Sequence, residues 1–442
     1  MRAIDIILKK RNNQELSTAE IRFLIEKYVQ GAIPDYQMAA FCMAVYFRGM
    51  TERETADLTM VMAESGEMVD LSSISGVKTD KHSTGGVADT TTLVLTPLVA
   101  AAGVAVAKMS GRGLGHTGGT IDKLESIPGF QTDLSHEVFL KQVRDIGLAV
   151  IGQTGNMVPA DKMLYALRDV TGTIESLPLI ASSIMSKKIA AGADVILLDV
   201  KTGSGAFMHT KEDSFRLAEA MVAIGQNVGR KTAAAITDMN EPLGSAIGNA
   251  LEVEEAILTL QGKNKGNLLE LSLTLGSHIL HMSGRSTNLE EAREILKGLL
   301  DSGEALKKLA EMIEAQGGNP EVVNNVKLLP QAEKQQVIEC WQDGYLKIED
   351  AQALGLAAML LGAGRATKED KIDLAVGLKI HAKTGQRVKQ GQPLLTLHYN
   401  DESKVEDAIA TVQSALKIYS APVPAPNLIY GIVTAEGRVE YL

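Results

Sequence analysis

Three glycine-rich segments each follow a short strand-like run, and this repeated pattern constrains the fold more than any other feature of the chain. The glycine-rich segments are residues 81–86 (KHSTGG), 110–120 (SGRGLGHTGGT) and 201–205 (KTGSG). The strand-like runs before them are residues 77–80, 104–109 and 194–200. Helical patterns such as residues 90–102 separate these units, and strands that alternate with helices predict a parallel sheet. Ligands of such sheets bind outside the carboxyl ends of the strands, where all three segments lie.

The composition of these loops suits an anion, above all phosphate. Glycine lets backbone N–H groups approach a ligand closely. The second loop adds hydroxyl groups at Ser110, Thr117 and Thr120. Lys81, Lys108 and Arg112 supply positive charge locally in a chain whose net charge is −10. A glycine loop before a helix can also be only a tight turn. Three such loops, two of them with basic and hydroxyl residues, favour phosphate binding.

The composition also excludes several classes of protein. The chain has 442 residues and lacks the basic balance that nucleic-acid binding needs. Its two cysteines lie far apart, without partners at metal-ligand spacing, which indicates a reducing compartment. No run reaches the roughly 18 apolar residues of a membrane helix, and the first ten residues lack a signal-peptide pattern. We therefore expect a cytoplasmic protein that binds neither nucleic acid nor membrane.

The predicted fold class is α/β, with a discontinuous domain organisation. Helical patterns fill the N-terminal region, with capping boxes at residues 17–20 and 51–54, and they return in an insertion after Pro159. The predicted domains are a small helical domain (1–65 and 159–192), a large α/β domain with a mostly parallel central sheet (66–158 and 193–330), and a C-terminal α+β domain (331–442). Within the last domain, residues 385–394 resemble the turn of a barrel-sandwich module. The modified lysine of such modules is missing, so we expect no covalently carried cofactor.

Residues that suit a small polar ligand lie in the helical insertion. Tyr165 and Arg168 lie at i, i+3, and Ser183 and Lys187 lie at i, i+4, so each pair shares a helix face. If the two faces meet, they suit a planar ring with carbonyl oxygens; the alternative is a solvated face with isolated salt bridges. His82 in the first loop either bonds within that loop or donates to a ligand between the domains. The lysine beside it disfavours its charged form, so we expect a hydrogen-bond donor first and an acid second.

Residues 110–125 (SGRGLGHTGGTIDKLE) resemble the signature of the thymidine and pyrimidine-nucleoside phosphorylases. Residues 81–87 (KHSTGGV) are similar to that family's other phosphate loop, and the resemblance covers essentially the whole chain. It implies a homodimer whose subunits have a helical domain, an α/β domain across a cleft, and a C-terminal α+β domain. The implied reaction cleaves a pyrimidine nucleoside with phosphate, giving the free base and a pentose 1-phosphate, without an organic cofactor.

The resemblance also implies roles for individual residues. The implied phosphate-binding residues are Lys81, His82, Ser83, Thr92, Lys108, Met109, Ser110 and Thr120. The implied pyrimidine-binding residues are Tyr165, Arg168, Ser183 and Lys187. His82, Arg168 and Lys187 are implied to be catalytic, because they would stabilise the departing base as its negative charge develops. Some family members bind potassium, and the matching positions here are Ala88, Thr90, Leu243, Ala246 and Glu255. The family usually has glycine where this chain has Ala88.

Substrate choice and reaction class leave alternatives open. Thymidine-restricted relatives tend to have an apolar residue at the position of Lys108, so we expect uridine, thymidine and deoxyuridine to be substrates. A thymidine-restricted phosphorylase is the alternative. An anthranilate-type phosphoribosyltransferase has a related architecture but needs magnesium and acidic residues for pyrophosphate. A module that binds nucleosides without turnover is the third possibility.

Overall fold

The computed structural model describes residues 1–113, 115–153, 156–365, 367 and 370–441. Residue 114 of the second loop, and residues 154–155, 366, 368–369 and 442 of the predicted domains, lie outside the described residues. The first eight helices are α1 (Ala3–Arg11), α2 (Thr18–Val29), α3 (Asp35–Arg48), α4 (Glu52–Ala63), α5 (Thr91–Ala101), α6 (Thr120–Glu125), α7 (His136–Ile146) and α8 (Pro159–Thr171). The helices that follow are α9 (Leu177–Ala190), α10 (Lys211–Asn227), α11 (Asn249–Leu260), α12 (Asn267–Met282), α13 (Leu289–Asp301), α14 (Glu304–Ala315), α15 (Ala351–Leu361) and α16 (Val405–Ala415).

The strands form one large sheet and two small ones. Those before the C-terminal region are β1 (Lys78–Ser83), β2 (Ala105–Ser110), β3 (Leu148–Gly152), β4 (Val195–Thr202), β5 (Lys231–Asp238) and β6 (Ala246–Ile247). Those within it are β7 (Lys334–Glu339), β8 (Gly344–Ile348), β9 (Gly377–Ile380), β10 (Arg387–Val388), β11 (Pro393–Tyr399), β12 (Leu416–Tyr419), β13 (Ile429–Thr434) and β14 (Gly437–Glu440).

The central sheet has the order β14-β13-β5-β4-β1-β2-β3, and β1 to β5 run parallel. The α/β class and the mostly parallel sheet are therefore confirmed. All eight residues of β4 are buried, as expected for a strand covered on both faces. The first strand runs further than predicted: Lys81, His82 and Ser83 belong to β1, because they pair with Leu197, Leu198 and Asp199.

The helical region is built from both predicted segments. Both capping boxes are confirmed. The side chains of Ser17 and Thr51 accept hydrogen bonds from the N3 backbone, and the side chains of Glu20 and Glu54 accept hydrogen bonds from the N-cap backbone. Pro34 is the N-cap residue of α3. Helices α8 and α9 pack against α2, α3 and α4, because apolar side chains of both segments share one hydrophobic core. No described helix has the length and apolarity to cross a membrane.

The C-terminal region contains two small antiparallel sheets, β10-β8-β12 and β6-β9-β11-β7, which confirms its α+β class. Residues 385–394, the predicted barrel-sandwich turn, include β10 and lead into β11. The structure differs from the predicted boundary at both ends. Strand β6 from the α/β region completes the four-stranded sheet, whereas β13 and β14 return to the central sheet beside β5. Pairing with β13 covers the edge of β5.

Candidate active site

The three glycine-rich loops meet at one edge of the central sheet. Strands β4, β1 and β2 are neighbours in that order, so their carboxyl ends and the loops after them lie side by side. Gly85 and Gly203 have φ angles of 99° and 129°, which side chains rarely permit. In the second loop, a Cβ on Gly119 would lie only 1.9 Å from the backbone N of Gly113. Glycine is thus required in all three loops by their backbone geometry.

Alternation along β1 sends its polar side chains to opposite faces of the sheet. Lys81 pairs with Leu197 of β4 and shares its face with Asp199, two residues further on. The Lys81 ammonium is buried, 3.1 Å from an Asp199 carboxylate oxygen and 3.7 Å from one of Asp89. Ser83 follows on the same face, and its Oγ accepts a hydrogen bond from the backbone N of Gly85. The predicted phosphate lysine is therefore held by two carboxylates.

The other predicted phosphate residues surround the same edge. Ser110 ends β2, and the β1–β2 register that pairs Thr79 with Val106 makes both strands end four residues later. Thr92 is the second residue of α5, and Thr120 is the first residue of α6. The first-turn backbone N–H groups of a helix favour an anion. The start of α5 adjoins the lysine, because Thr91 donates at 2.6 Å to the Asp89 carboxylate that Lys81 contacts.

Arg112, which was predicted to supply positive charge in the second loop, is held by two carboxylates. The Arg112 guanidinium lies 2.6 Å and 2.7 Å from the two Glu125 carboxylate oxygens and 3.0 Å from Asp122. Arg365 from the C-terminal region also binds Asp122, at 3.0 Å. The charge of Arg112 is therefore compensated by carboxylates 10 and 13 positions further along the chain, and its role toward phosphate stays a prediction.

The opposite face of β1 carries a second charge cluster. Asp80 is fully buried and accepts hydrogen bonds from Lys108 at 3.2 Å and from Lys188 at 2.8 Å. Lys108 also donates to the Lys81 carbonyl, and Lys188 donates to the Met109 carbonyl at 3.3 Å. Burial lowers the pKa of Lys108 to about 8, although Asp80 opposes the shift. Because Lys188 lies in α9, this cluster joins the helical region to the sheet.

A cavity of about 250 Å³ opens between the sheet edge and helices α8 and α9. The predicted residues that line it are His82, Tyr165, Arg168, Ser183 and Lys187. The two helix faces therefore meet, and the side chain of Arg168 is buried rather than part of a solvated face. Phe207, which the sequence analysis missed, also lines this cavity and is 61% exposed. Its position two residues after the third glycine loop was the available signal.

The two cations of this cavity are anchored by the protein itself. Arg168 donates to the carbonyl oxygens of Thr173 (3.1 Å), Ile174 (2.6 Å) and Leu179 (3.1 Å). A guanidinium has five N–H donors, so donors remain for a ligand. Lys187 lies 2.6 Å from a carboxylate oxygen of Asp161 and 3.2 Å from the Ser183 hydroxyl. These contacts orient both positive groups before any ligand arrives.

His82 lies between the two sides, as a neutral imidazole. Burial lowers its pKa well below the ordinary value, and the ammonium groups of Lys188, Lys108, Lys187 and Lys81 lower it further. A neutral ring can donate one hydrogen bond and accept another. The role of His82 as a donor to a ligand stays a prediction.

The five predicted potassium residues converge where residues 242–246 meet the first loop. Ala88 adopts a φ of 55°, so alanine does take the left-handed conformation here, and its carbonyl accepts from the Gly244 backbone N at 3.2 Å. The Glu255 carboxylate accepts from the backbone N of Ser245 and Ala246, and burial raises its pKa. Lys383, which the sequence analysis missed, donates to the carbonyl of Gly244 at 2.8 Å and to that of Leu243, one of the five, at 3.4 Å. Carbonyl, hydroxyl and carboxylate oxygens suit a hard monovalent cation, so the donor set fits.

Comparisons with known proteins agree with this architecture. Residues 4–66 match the helical bundle domain of the glycosyl transferase family, and residues 75–306 match the a/b domain of that family. Residues 345–419 match the pyrimidine nucleoside phosphorylase C-terminal domain. The fold resembles that of anthranilate phosphoribosyltransferase from Thermus thermophilus, with a TM-score of 0.57 and 19% identity over 72% of this chain and 99% of that one.

Closer relatives match nearly the whole chain. The pyrimidine-nucleoside phosphorylase of Bacillus subtilis is 57% identical over 434 residues, which is 98% of this chain and 100% of that protein. The Geobacillus stearothermophilus enzyme of the same name is 57% identical over 430 residues, 97% of this chain and 99% of that protein. The expected family is confirmed, and with it the enzyme class, a pentosyltransferase. The chain belongs to the pyrimidine-nucleoside phosphorylase family.

Proposed function

We propose that this protein catalyses the reversible phosphorolysis of pyrimidine nucleosides to the free base and a (deoxy)ribose 1-phosphate. The observation that carries the proposal is the position of one cavity. It is lined by Arg168, Lys187 and His82, and it adjoins the sheet edge where the three glycine loops and Lys81 lie. A nucleoside in this position can present its base to the cations and its sugar to the loops.

On the base side, the pocket stabilises the leaving group. Breaking the C1′–N1 bond places negative charge on the pyrimidine and positive character on the sugar. Arg168 and Lys187 face that developing charge from fixed positions, and neutral His82 donates to a carbonyl oxygen of the base. Tyr165 and Ser183 contact the ring beside them. Preorganised charges of this kind commonly supply the largest part of a rate enhancement.

On the sugar side, the loops position the nucleophile. The proposed phosphate residues are Lys81, His82, Ser83, Thr92, Lys108, Met109, Ser110 and Thr120. Phosphate is already a competent nucleophile at neutral pH, so these groups contribute alignment rather than activation. The base and phosphate are bound by different domains, and closing the cleft brings them together on opposite faces of the sugar. Attack opposite the departing base inverts the configuration at C1′.

For the sugar, we propose that uridine, thymidine and deoxyuridine are all accepted. Lys108 supports this choice because an ammonium has three donors, and Asp80 and the Lys81 carbonyl use two of them. The third can serve a ribose 2′-hydroxyl. A thymidine-restricted phosphorylase is the alternative. Comparing the turnover of uridine with that of thymidine distinguishes the two. An anthranilate-type phosphoribosyltransferase is disfavoured, since the pyrimidine-nucleoside phosphorylases are 57% identical over nearly the whole chain, whereas the anthranilate enzyme is 19% identical.

We further propose that Ala88, Thr90, Leu243, Ala246 and Glu255 hold a potassium ion, which would offset the charge of the buried Glu255 carboxylate. The ion has a structural role, so its removal should lower the thermal unfolding midpoint. Replacing KCl by tetramethylammonium chloride at constant ionic strength measures this effect. An unchanged midpoint would contradict potassium binding.

For its assembly, we propose a homodimer in the cytoplasm, formed through helices α1 and α3. Ile4 and Leu8 lie on one face of α1, and Phe47 of α3 is 72% exposed. The two helices meet where the side chain of Arg48 donates to the Arg11 carbonyl. A second copy would cover this apolar surface. Light scattering measures the mass of the assembly. We expect the wild-type protein to be a dimer and Phe47→Asp to be a monomer. A monomeric wild-type protein would contradict the proposal.

The experiment that tests the function is a comparison with and without phosphate. The protein is incubated with uridine or thymidine, and the free base is separated and quantified. We expect base release only when phosphate is present. Base release without phosphate would indicate a hydrolase, and nucleoside binding without any release would indicate a binding module.

A further inference from the structure

The third glycine loop contributes a lysine that the proposed site does not use. Lys201 lies at the carboxyl end of β4 and is fully buried. Its ammonium lies 2.8 Å from a carboxylate oxygen of Asp199 and 3.8 Å from one of Asp89. These are the same two carboxylates that hold Lys81, at 3.1 Å and 3.7 Å. Two lysines therefore share two aspartates directly beneath the first loop.

The orientation of this cluster follows from the strand register. Asp199 and Lys201 lie two residues apart on β4, so they share a face, and Lys81 joins that face through its pairing with Leu197. In each aspartate, the carboxylate oxygen that does not contact a lysine accepts a hydrogen bond from a threonine. Thr237 donates to Asp199 at 2.6 Å, and Thr91 donates to Asp89 at 2.6 Å. The aspartates are thus fixed, and their remaining oxygens face the two ammonium groups.

The charges of the cluster sum to zero only because Lys201 is present. Lys81 and Lys201 carry two positive charges, and Asp89 and Asp199 carry two negative charges. Burial lowers the pKa of Lys201, but Asp199 and Asp89 raise it above its ordinary value. Without Lys201, Lys81 alone would face two carboxylates, and the net charge beside the loop would be −1.

We propose that Lys201 is a positioning residue for phosphate, which neutralises one of the two shared carboxylates so that Lys81 keeps its attraction for the anion. This inference rests on the proposed phosphate site. Lys201 does not touch the phosphate; it acts through Asp199 and Asp89. Its contribution therefore belongs to phosphate affinity and not to the pyrimidine pocket, which lies on the opposite face of β1.

The test compares Lys201→Met with a charge-balanced double variant, Asp199→Asn with Lys201→Met. Steady-state kinetics vary phosphate at saturating uridine, and then uridine at saturating phosphate. We expect Lys201→Met to raise the phosphate KM at least about tenfold, with the uridine KM within about twofold of wild type. The double variant restores a net charge of zero and should recover most of the phosphate affinity. A structural role alone would make two buried substitutions worse than one.

Lys10→Met is the matched control, because Lys10 is another buried lysine, paired with Glu54 at 2.7 Å far from the loops. It should lower the unfolding midpoint without changing the phosphate KM. If Lys201→Met does not fold, Asp199→Asn carries the test, and its phosphate KM must not rise above that of wild type. If the wild type is active and Lys201→Met has the same phosphate KM, this inference is overturned but the proposed function is not. Wild-type protein that releases no base would overturn the proposed function as well.

Discussion

At the scale of single residues, the base pocket depends on cations that are anchored before a ligand binds. Three backbone carbonyls orient Arg168, and Asp161 with Ser183 orients Lys187. Water would have to reorient around a developing anion, whereas these groups already face it. The same contacts make the two cations differ as experimental targets. Truncating Arg168 removes three hydrogen bonds to backbone carbonyls, whereas truncating Lys187 removes one ion pair and one hydrogen bond to a hydroxyl, so Lys187 gives the cleaner test.

Lys187→Met should lower kcat/KM for phosphorolysis by about two orders of magnitude or more, because one charge that stabilises the leaving base is lost. Phosphate binding measured by calorimetry should stay unchanged, since the loops lie outside the base pocket. Lys162→Met is the control: this lysine is exposed on α8 and lacks a described ion pair. Turnover equal to that of wild type would rule out the assigned base site.

Lys108→Met should reduce uridine turnover more than thymidine turnover. The substitution removes the donor proposed for the 2′-hydroxyl, which thymidine lacks, while Lys188 still compensates Asp80 at 2.8 Å. The ratio of kcat/KM for the two nucleosides is the readout, and we expect it to shift about tenfold toward thymidine. Equal losses with both nucleosides would refute the role in sugar choice.

The pH dependence of phosphate affinity should follow the charge of Lys108. Burial lowers the pKa of Lys108 to about 8, so the group is a cation below pH 8 and loses its charge above it. Phosphate affinity should therefore fall as the pH rises through 8. Lys108→Arg, whose guanidinium stays charged, should move this decline to higher pH. A decline at the same pH in the wild type and in Lys108→Arg would show that another group is responsible.

At the scale of elements, the site is made of strand ends and the loops that leave them. The glycine content predicted the loops, and the apolar runs predicted the strands. The exact strand end could not be predicted, because Lys81 and His82 are polar residues that belong to β1 only through their pairing with β4. The ion pairs of Arg112 could not be predicted either, since its partners Asp122 and Glu125 are brought to it by the turn into α6.

The backbone of the third loop gives a test at this scale. Gly203 has a φ of 129°, and a Cβ there would lie 2.7 Å from the Asn240 backbone N. Gly203→Ala should therefore destabilise the fold by about 1–3 kcal/mol and reduce phosphorolysis. Gly298→Ala is the control, because that glycine lies in α13 with open space around it; we expect it to stabilise the fold by about 0.5–1 kcal/mol. Chemical denaturation measures both, and equal effects would contradict the loop geometry.

At the scale of the whole molecule, the sequence predicted the α/β class, the split helical region and the α+β C-terminal region. It could not predict which distant charges pair. Lys188 and Asp80 lie 108 positions apart, and Lys201 meets Asp89 across two elements. Local periodicity encodes faces and turns, whereas such pairs depend on the complete sheet order. The return of β13 and β14 to the central sheet is non-local in the same way.

The central claim is that the loops and the cationic pocket act on opposite faces of one sugar. The stereochemistry of the product tests this most directly. Uridine, a β-nucleoside, is incubated with the enzyme and phosphate, and the products are followed by phosphorus and proton NMR. We predict one equivalent of ribose 1-phosphate for each uracil released, all of it the α anomer. Formation of the β anomer, or uracil released without sugar phosphate, would contradict the account.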